Sequence, residues 1–206
     1  MRKLILKMSV SIDGFVAGPH GEIDWIFRSM DDEATAWTVE SLWQAGVHIM
    51  GSRTFRDMAA YWPASSEPFA APMNEIPKMY FSSGREQSTT RALEDATARI
   101  GSLPPASARA LESWEAARVL TGDLAEEVAR LKHKPGKSVV AHGGATFAQN
   151  LVKLGLVDEY RLVVHPVVLG TGLPLFAGLA SPLDLMLVEA ARFASGAVGH
   201  AYRTRG

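Results

Sequence analysis

The stretch that most limits what this chain can fold into is Ser138-Val139-Val140-Ala141-His142-Gly143-Gly144-Ala145-Thr146-Phe147, a buried strand running into a helix through consecutive glycines. An apolar run suits a strand covered on both faces, and Phe147, Leu151 and Leu154 then recur at helical spacing. Strand, tight turn and helix in that order predict a parallel α/β unit. A glycine pair at the helix start leaves unpaired N–H groups and the positive end of the helix dipole open to an anion, with no Cβ in the way. Two readings of the pair stay open: a nucleotide phosphate seated at Gly143 and Gly144, or a plain strand-to-helix turn. Neither a G-x-G-x-x-G fingerprint nor a P-loop accompanies it.

The same alternation runs through the first three-quarters of the chain. Residues 2 to 10 read as a strand, with Leu4, Leu6 and Met8 on one face and Ile5 and Lys7 on the other, ending at Asp13-Gly14. Asp31-Asp32-Glu33 opens a helix with Trp37, Leu42 and Trp43 toward its buried side and Gly46 past its end. Val47 to Met50 is a second strand, followed by a helix on which Ser52 or Thr54 can cap and Arg53 offers a fork suited to phosphate or carboxylate. Ala64 to Pro77 reads as loop, and Lys78 to Gly84 as a third strand. The run from Arg85 to Leu111 reads as a surface insertion, and Ala117 to Leu120 as a short strand. Asp123 caps an amphipathic helix that Pro135-Gly136 terminates. After the double-glycine helix, Tyr160 to Leu169 reads as a long strand whose Pro166 implies an edge or a bulge. Gly170-Thr171-Gly172 predicts a close backbone approach, and Leu185 to Phe193 and Val198 to Arg203 are the last strands. The order predicts an α/β fold: a mainly parallel central sheet with antiparallel C-terminal edge strands and helices on both faces.

Composition narrows the function classes. With 206 residues the chain suits one domain, and 21 basic against 22 acidic residues give no electrostatic case for nucleic acid or an anionic membrane. No apolar run is long enough for a membrane span, and the absence of cysteine fits a cytoplasmic setting. The histidines, 6 in all, form no metal-ligand spacing, so no metal site is expected; His142 and His165 fall in strands and read as satisfied core or interface residues. No Gly-x-Ser-x-Gly supports a serine nucleophile. The tryptophans, Trp25, Trp37, Trp43 and Trp62 among them, read mainly as core, with stacking on a planar substrate the other use.

Ligands of a parallel sheet bind beyond the carboxyl ends of its strands. Those ends carry Asp13-Gly14, Gly51-Ser52-Arg53-Thr54, Ser82-Ser83, Thr121-Gly122-Asp123 and Gly143-Gly144, all small or hydrogen-bonding residues suited to an extended anion. Together with Ser11-Ile12-Asp13-Gly14-Phe15-Val16-Ala17, Gly155-Leu156-Val157-Asp158-Glu159 and Pro166-Val167-Val168-Leu169-Gly170-Thr171-Gly172, they make the chain resemble the dihydrofolate reductase superfamily. Within it the resemblance is to the branch holding the reductase (RibD C-terminal) domain of bacterial riboflavin biosynthesis. It implies NADPH as cofactor, with Arg53 at the 2′-phosphate, and Gly51, Thr54 and the helix start Gly143, Gly144, Ala145 and Thr146 around the pyrophosphate. It further implies Ser82 and Ser83 at the adenosine end, Ser9, Val16 and Ala17 bordering the nicotinamide, a cis Gly143-Gly144 bond, and a homodimer. The implied chemistry is hydride transfer to a C=N or C=O group of a small heterocyclic or carbonyl substrate.

The acid is where the chain departs from folate reductases. Phe27-Arg28-Ser29-Met30-Asp31-Asp32 holds the corresponding ground, and Asp31 or Asp32 there reads as a helix cap. Asp13 and Asp24 are the candidate catalytic acids; Asp13 could equally hold its own turn, and Asp24 could be a surface acid. The alternatives are a nucleotide-binding module without catalysis, and a dimeric scaffold using the Leu162 to Leu169 strand and the Gly170 to Phe176 turn as its partner surface.

Overall fold

The computed structural model describes residues 1–82 and 105–205. Its centre is an eight-stranded sheet, β5-β4-β3-β6-β1-β7-β10-β9 in spatial order. The strands are β1 (Leu4–Ser11), β3 (Ala45–Gly51), β4 (Lys78–Phe81), β5 (Arg118–Leu120), β6 (Ser138–Ala141), β7 (Glu159–His165), β9 (Leu185–Arg192) and β10 (Val198–Thr204). Pairing is parallel from β5 through to β7, and antiparallel between β7, β10 and β9. A separate ribbon pairs β2 (Phe15–Ala17) with β8 (Leu173–Pro174).

Alternation along β1 separates two cores. Leu4, Leu6, Met8 and Val10 join Val47, Ile49, Val139, Ala141, Tyr160 and Leu162 on one face. That face is covered by α6 (Leu124–His133) through Val128 and Leu131, and by α7 (Ala145–Lys153) through Phe147, Ala148, Leu151 and Val152. Ile5, Met50, Tyr80 and Val140 face the other way. They are covered by α2 (Asp32–Trp43), α3 (Ser52–Tyr61), α4 (Ala70–Glu75) and α5 (Pro105–Glu115), through Leu42, Phe55, Met73 and Trp114. A short α1 (Asp24–Phe27) precedes α2.

Several expectations are corrected. Residues 85 to 104 of the expected insertion lie outside the described residues, but its end is not surface: α5 buries Ala110 and Leu111, and Trp114 just after them. The loop expected from Ala64 to Pro77 contains α4, which turns Met73 into the core and lends Asn74 Oδ1 to Trp114 Nε1 at 2.8 Å. The strand expected to reach Leu169 ends at His165, before Pro166, and it is interior, paired on both sides by β1 and β10. Glu159–His165 therefore offers no free strand edge to a partner, while Val168 and Phe176 beyond it are exposed. Leu154 caps α7 and is exposed, as is Trp43 at the end of α2, because each falls in the last turn, where the helix face rotates off the sheet. Gly46 lies past the end of α2, as expected, within β3. The β2–β8 ribbon, too short to show periodicity, was not legible in the sequence.

The Gly170-Thr171-Gly172 turn does bring backbone close. A Cβ on Gly172 would stand 2.3 Å from the Ala17 carbonyl oxygen, so only glycine lets the ribbon close.

Candidate functional site

The two helices that start beside each other at the carboxyl ends of the strands are α3 and α7. Both begin from glycine, Gly51 and Gly144, in extended conformation, and among the described residues no side chain caps the first N–H groups of either. The expected caps Ser52 and Thr54 instead lie inside α3. The turns abut: a Cβ on Gly144 would lie 3.3 Å from Thr54 Oγ1, and one on Gly51 would lie 3.3 Å from Phe147 Cβ. The Gly143–Gly144 peptide bond is cis, as expected. Two uncapped N-termini side by side make a site for an extended anion.

The remaining cofactor candidates sit around this pair. Arg53 is exposed on the first turn of α3 and makes no ion pair among the described residues. Ala145 and Thr146 form the first turn of α7. Ser82 follows β4, its N–H donating to Leu120 O at 3.0 Å, while Ser83 lies outside the described residues. Ser9 is partly exposed on β1. Val16 and Ala17 are buried in β2, Val16 within the main core, so their backbone is what they can offer a ligand.

The two candidate acids differ. Asp13 accepts from Ser11 Oγ at 2.6 Å and from the N–H groups of Leu169 and Gly170, at 3.2 and 2.7 Å. These bonds, Ser11 first, hold its carboxyl below the usual carboxylate range and tie the end of β1 to the loop before β8. Asp24, exposed at the start of α1, lines a cleft of ≈ 360 Å³ with Trp25, Arg28 and Leu169. Asp31 is a helix cap: it accepts from Ala34 N at 2.8 Å and from Ser195 N at 2.7 Å.

Lys7 and His48, which sequence reasoning passed over as functional residues, lie on the α2–α3 face of the sheet with Ser9, His142 and His165. Lys7 and Ser9 are partly exposed in the middle of β1, whose neighbours on that face, Ile5 and Ser11, are buried. Solvent reaches a central strand only where the helical layer above it is open, so Lys7 and Ser9 mark the floor of an opening. His142 follows β6 on one side, and His165 ends β7 on the other. His142 and His48 are joined ring to ring, Nε2 to Nδ1, at 3.0 Å, and His48 Nε2 lies 3.2 Å from Pro72 O. The carbonyl can only accept, so His48 donates from Nε2 and receives at Nδ1 from His142. Burial pushes His48 down to about 4, and burial, His48 and Lys7 push His142 well below its ordinary value. His165 is likewise lowered to about 4 by burial and then Lys7. Its Nδ1 meets Ser29 Oγ at 2.9 Å, but its buried Nε2 has no partner among the described residues, against the expectation of a satisfied core or interface histidine. The signal available in the sequence was Lys7 itself, a charge inside a strand read as covered on both faces.

The model of the RibD C-terminal domain matches residues 2–198. The chain belongs to that family. The family's fold recurs in a putative riboflavin biosynthesis protein from Shewanella sp. PV-4, with a TM-score of 0.70 and 19% identity over 100% of each chain. It recurs again in dihydrofolate reductase from Enterococcus faecalis, solved with NADP(H), at a TM-score of 0.60 and 12% identity over 99% of this chain and 97% of that one. In sequence, this member of the RibD C-terminal domain family is 30% identical to the uncharacterized protein YyaP of Bacillus subtilis (strain 168), over 100% of this chain and 96% of that protein. No helix among the described residues is long and apolar enough to cross a membrane.

Proposed function

We propose that the protein is an NADPH-dependent reductase of a small heterocyclic or carbonyl substrate, cytoplasmic and homodimeric. The observation that carries this reading is the pair of abutting, uncapped helix starts at Gly51 and Gly144, with Arg53 beside them and free of any acid among the described residues. Family membership and a fold shared with a dihydrofolate reductase solved with NADP(H) support it.

In this reading the N–H groups of α3 and α7 hold the pyrophosphate, and Arg53 pairs with the 2′-phosphate. Thr54, Ala145, Thr146 and Ser82 line the path of the cofactor, with Ser83 beyond Ser82. Ser9 and the backbone of Val16 and Ala17 border the nicotinamide. NADPH supplies the hydride when bound. The chain's share is alignment of donor and acceptor and exclusion of water. Asp24, on the cleft wall, is the acid placed to meet the substrate, whereas Asp13 holds the loop that forms the cleft's far side.

Fluorescence titration with NADPH and with NADH tests the reading. NADPH is expected to bind more tightly, and Arg53→Ala to lose about 1.5–3 kcal/mol of NADPH affinity, with little change for NADH. Absence of binding, or a preference for NADH, would refute it. Asp24→Asn is expected to lower kcat/KM without changing NADPH affinity, and light scattering is expected to give the mass of a dimer.

A further inference from the structure

The cofactor candidates lie at the carboxyl ends of the strands, and a group of unmatched charges lies at the other end. There the start of β1 and the turn joining α6 to β6 enclose a cavity of ≈ 270 Å³, lined by Met1, Arg2, His133, Lys134, Pro135 and Gly136. None of these side chains is an acid.

Arg2 is the fixed wall of this cavity. Its N–H donates to Lys132 O at 2.8 Å and its Nε to Lys137 O at 2.5 Å, so main chain and side chain are both anchored to the turn. Gly136 takes the turn at φ +130°, where a Cβ would stand 3.8 Å from the guanidinium carbon, and a Cβ on Gly46 would stand 2.9 Å from Nη2. The fork thus sits between two glycines with no ion pair among the described residues. Burial, with no acid to offset it, holds its pKa below the ordinary value.

The neighbouring bases are matched. Lys132 pairs with Asp158 at 2.7 Å, Lys3 with Glu159 at 3.3 Å, and Arg130 with Glu126 and Glu127 at 2.9 and 2.8 Å. Arg2, His133 and Lys134 are left with no acid among the described residues, and the Lys137 ammonium reaches only the Trp43 carbonyl, at 3.4 Å. A helix dipole favours bases in the last turn of α6, but Arg2 and Lys137 stand outside that helix. Overall basicity is no explanation either, since the chain's formal net charge is −1. The cavity falls just below the size that buries drug-sized ligands, and its wall is cationic where such pockets are apolar, so it suits a small, compact anion. A guanidinium fork with an ammonium beside it matches phosphate oxygens.

We propose that this cavity is a second anion site, separate from the glycine helix starts, that takes the phosphate group of a phosphomonoester or diphosphate. Arg2 supplies the fork, Lys134 a point charge and His133 a further N–H. The first residues of β1 and β6 pair directly, Leu4 with Val139, so an occupant ties the starts of two central strands together. The site stands whether or not the protein is a reductase.

Calorimetry on the full chain with methyl phosphate, inorganic phosphate and pyrophosphate tests this, with uncharged glycerol as the blank. At least one phosphate is expected to bind, more weakly as salt rises, and the tightest of the three names the group. Lys134→Gln, at an exposed side chain, is expected to weaken binding severalfold, and Arg2→Gln with Lys134→Gln by about tenfold or more. Near-UV circular dichroism and the unliganded Tm distinguish a lost site from a lost fold, and Lys134→Gln alone carries the test if the double variant unfolds. Amide NMR shifts are expected at Arg2, Lys134 and Gly136. No binding by any of the three, shifts confined to Gly51 and Gly144, or an affinity that Lys134→Gln leaves unchanged overturns the proposal. Titration with NADPH reads the other end of the strands, so failure of either site leaves the other standing.

Discussion

Asp13, one of the candidate acids, is also a tether. It lies in a segment by which the family is recognised, yet its oxygens are spent on Ser11, Leu169 and Gly170. Those bonds favour the charged form, so its folded pKa lies below its unfolded value. The stability it contributes is therefore present above the unfolded carboxylate range and is lost as pH falls through the lower folded value. Asp13→Ala is expected to lower the urea midpoint at neutral pH, and the gap from the native protein to narrow on acidification. A gap that stays constant down to the most acid pH at which the fold survives would show that the carboxylate's charge contributes nothing.

At the scale of elements, α5 and the β2–β8 ribbon are the parts whose role depends on contacts distant in sequence. Trp114 of α5 is completely buried, tilted against Phe55 of α3 at 5.5 Å and bonded to Asn74 of α4. Trp114→Ala is expected to cost about 3–5 kcal/mol, as other large aromatic deletions do, measured by equilibrium unfolding. A loss below about 1 kcal/mol would mean that α5 is a surface appendage after all. The ribbon fails differently, by excess volume. Gly172→Ala puts a methyl 2.3 Å from the Ala17 carbonyl oxygen, where the obstacle is backbone and cannot rotate away. Overpacking of this kind costs about 1–3 kcal/mol, and hydrogen exchange at Phe15 and Ala17 is expected to show the damage first.

For the molecule as a whole, a ligand that binds only the folded state raises its stability by mass action. NADPH at a hundred times its Kd is expected to add about 2.7 kcal/mol, which is roughly 5–10 °C in Tm for a chain of this size. Arg53→Ala is expected to shrink that shift while leaving the unliganded Tm unchanged, because Arg53 is exposed and makes no ion pair among the described residues. A drop in the unliganded Tm would assign Arg53 a structural role in place of the cofactor role.

What the sequence determined by itself was whatever is written locally. The strand–glycine–helix unit at 138 to 154, the Asp31 and Asp123 caps, the closing hairpin of β9 and β10 and the parallel order all follow from short-range periodicity and turn chemistry. The half of the candidate site built from strand ends and helix starts was legible for the same reason, since such turns announce themselves. Tertiary structure alone decided the rest. Whether Trp114 is core, whether the strand after Tyr160 is interior, and whether Lys7 meets an acid depend on which elements pack above them. A charge in a strand carries no mark of its partner: Arg161 and Lys7 read alike in sequence, and only the fold gives one its carboxylates and leaves the other without one among the described residues.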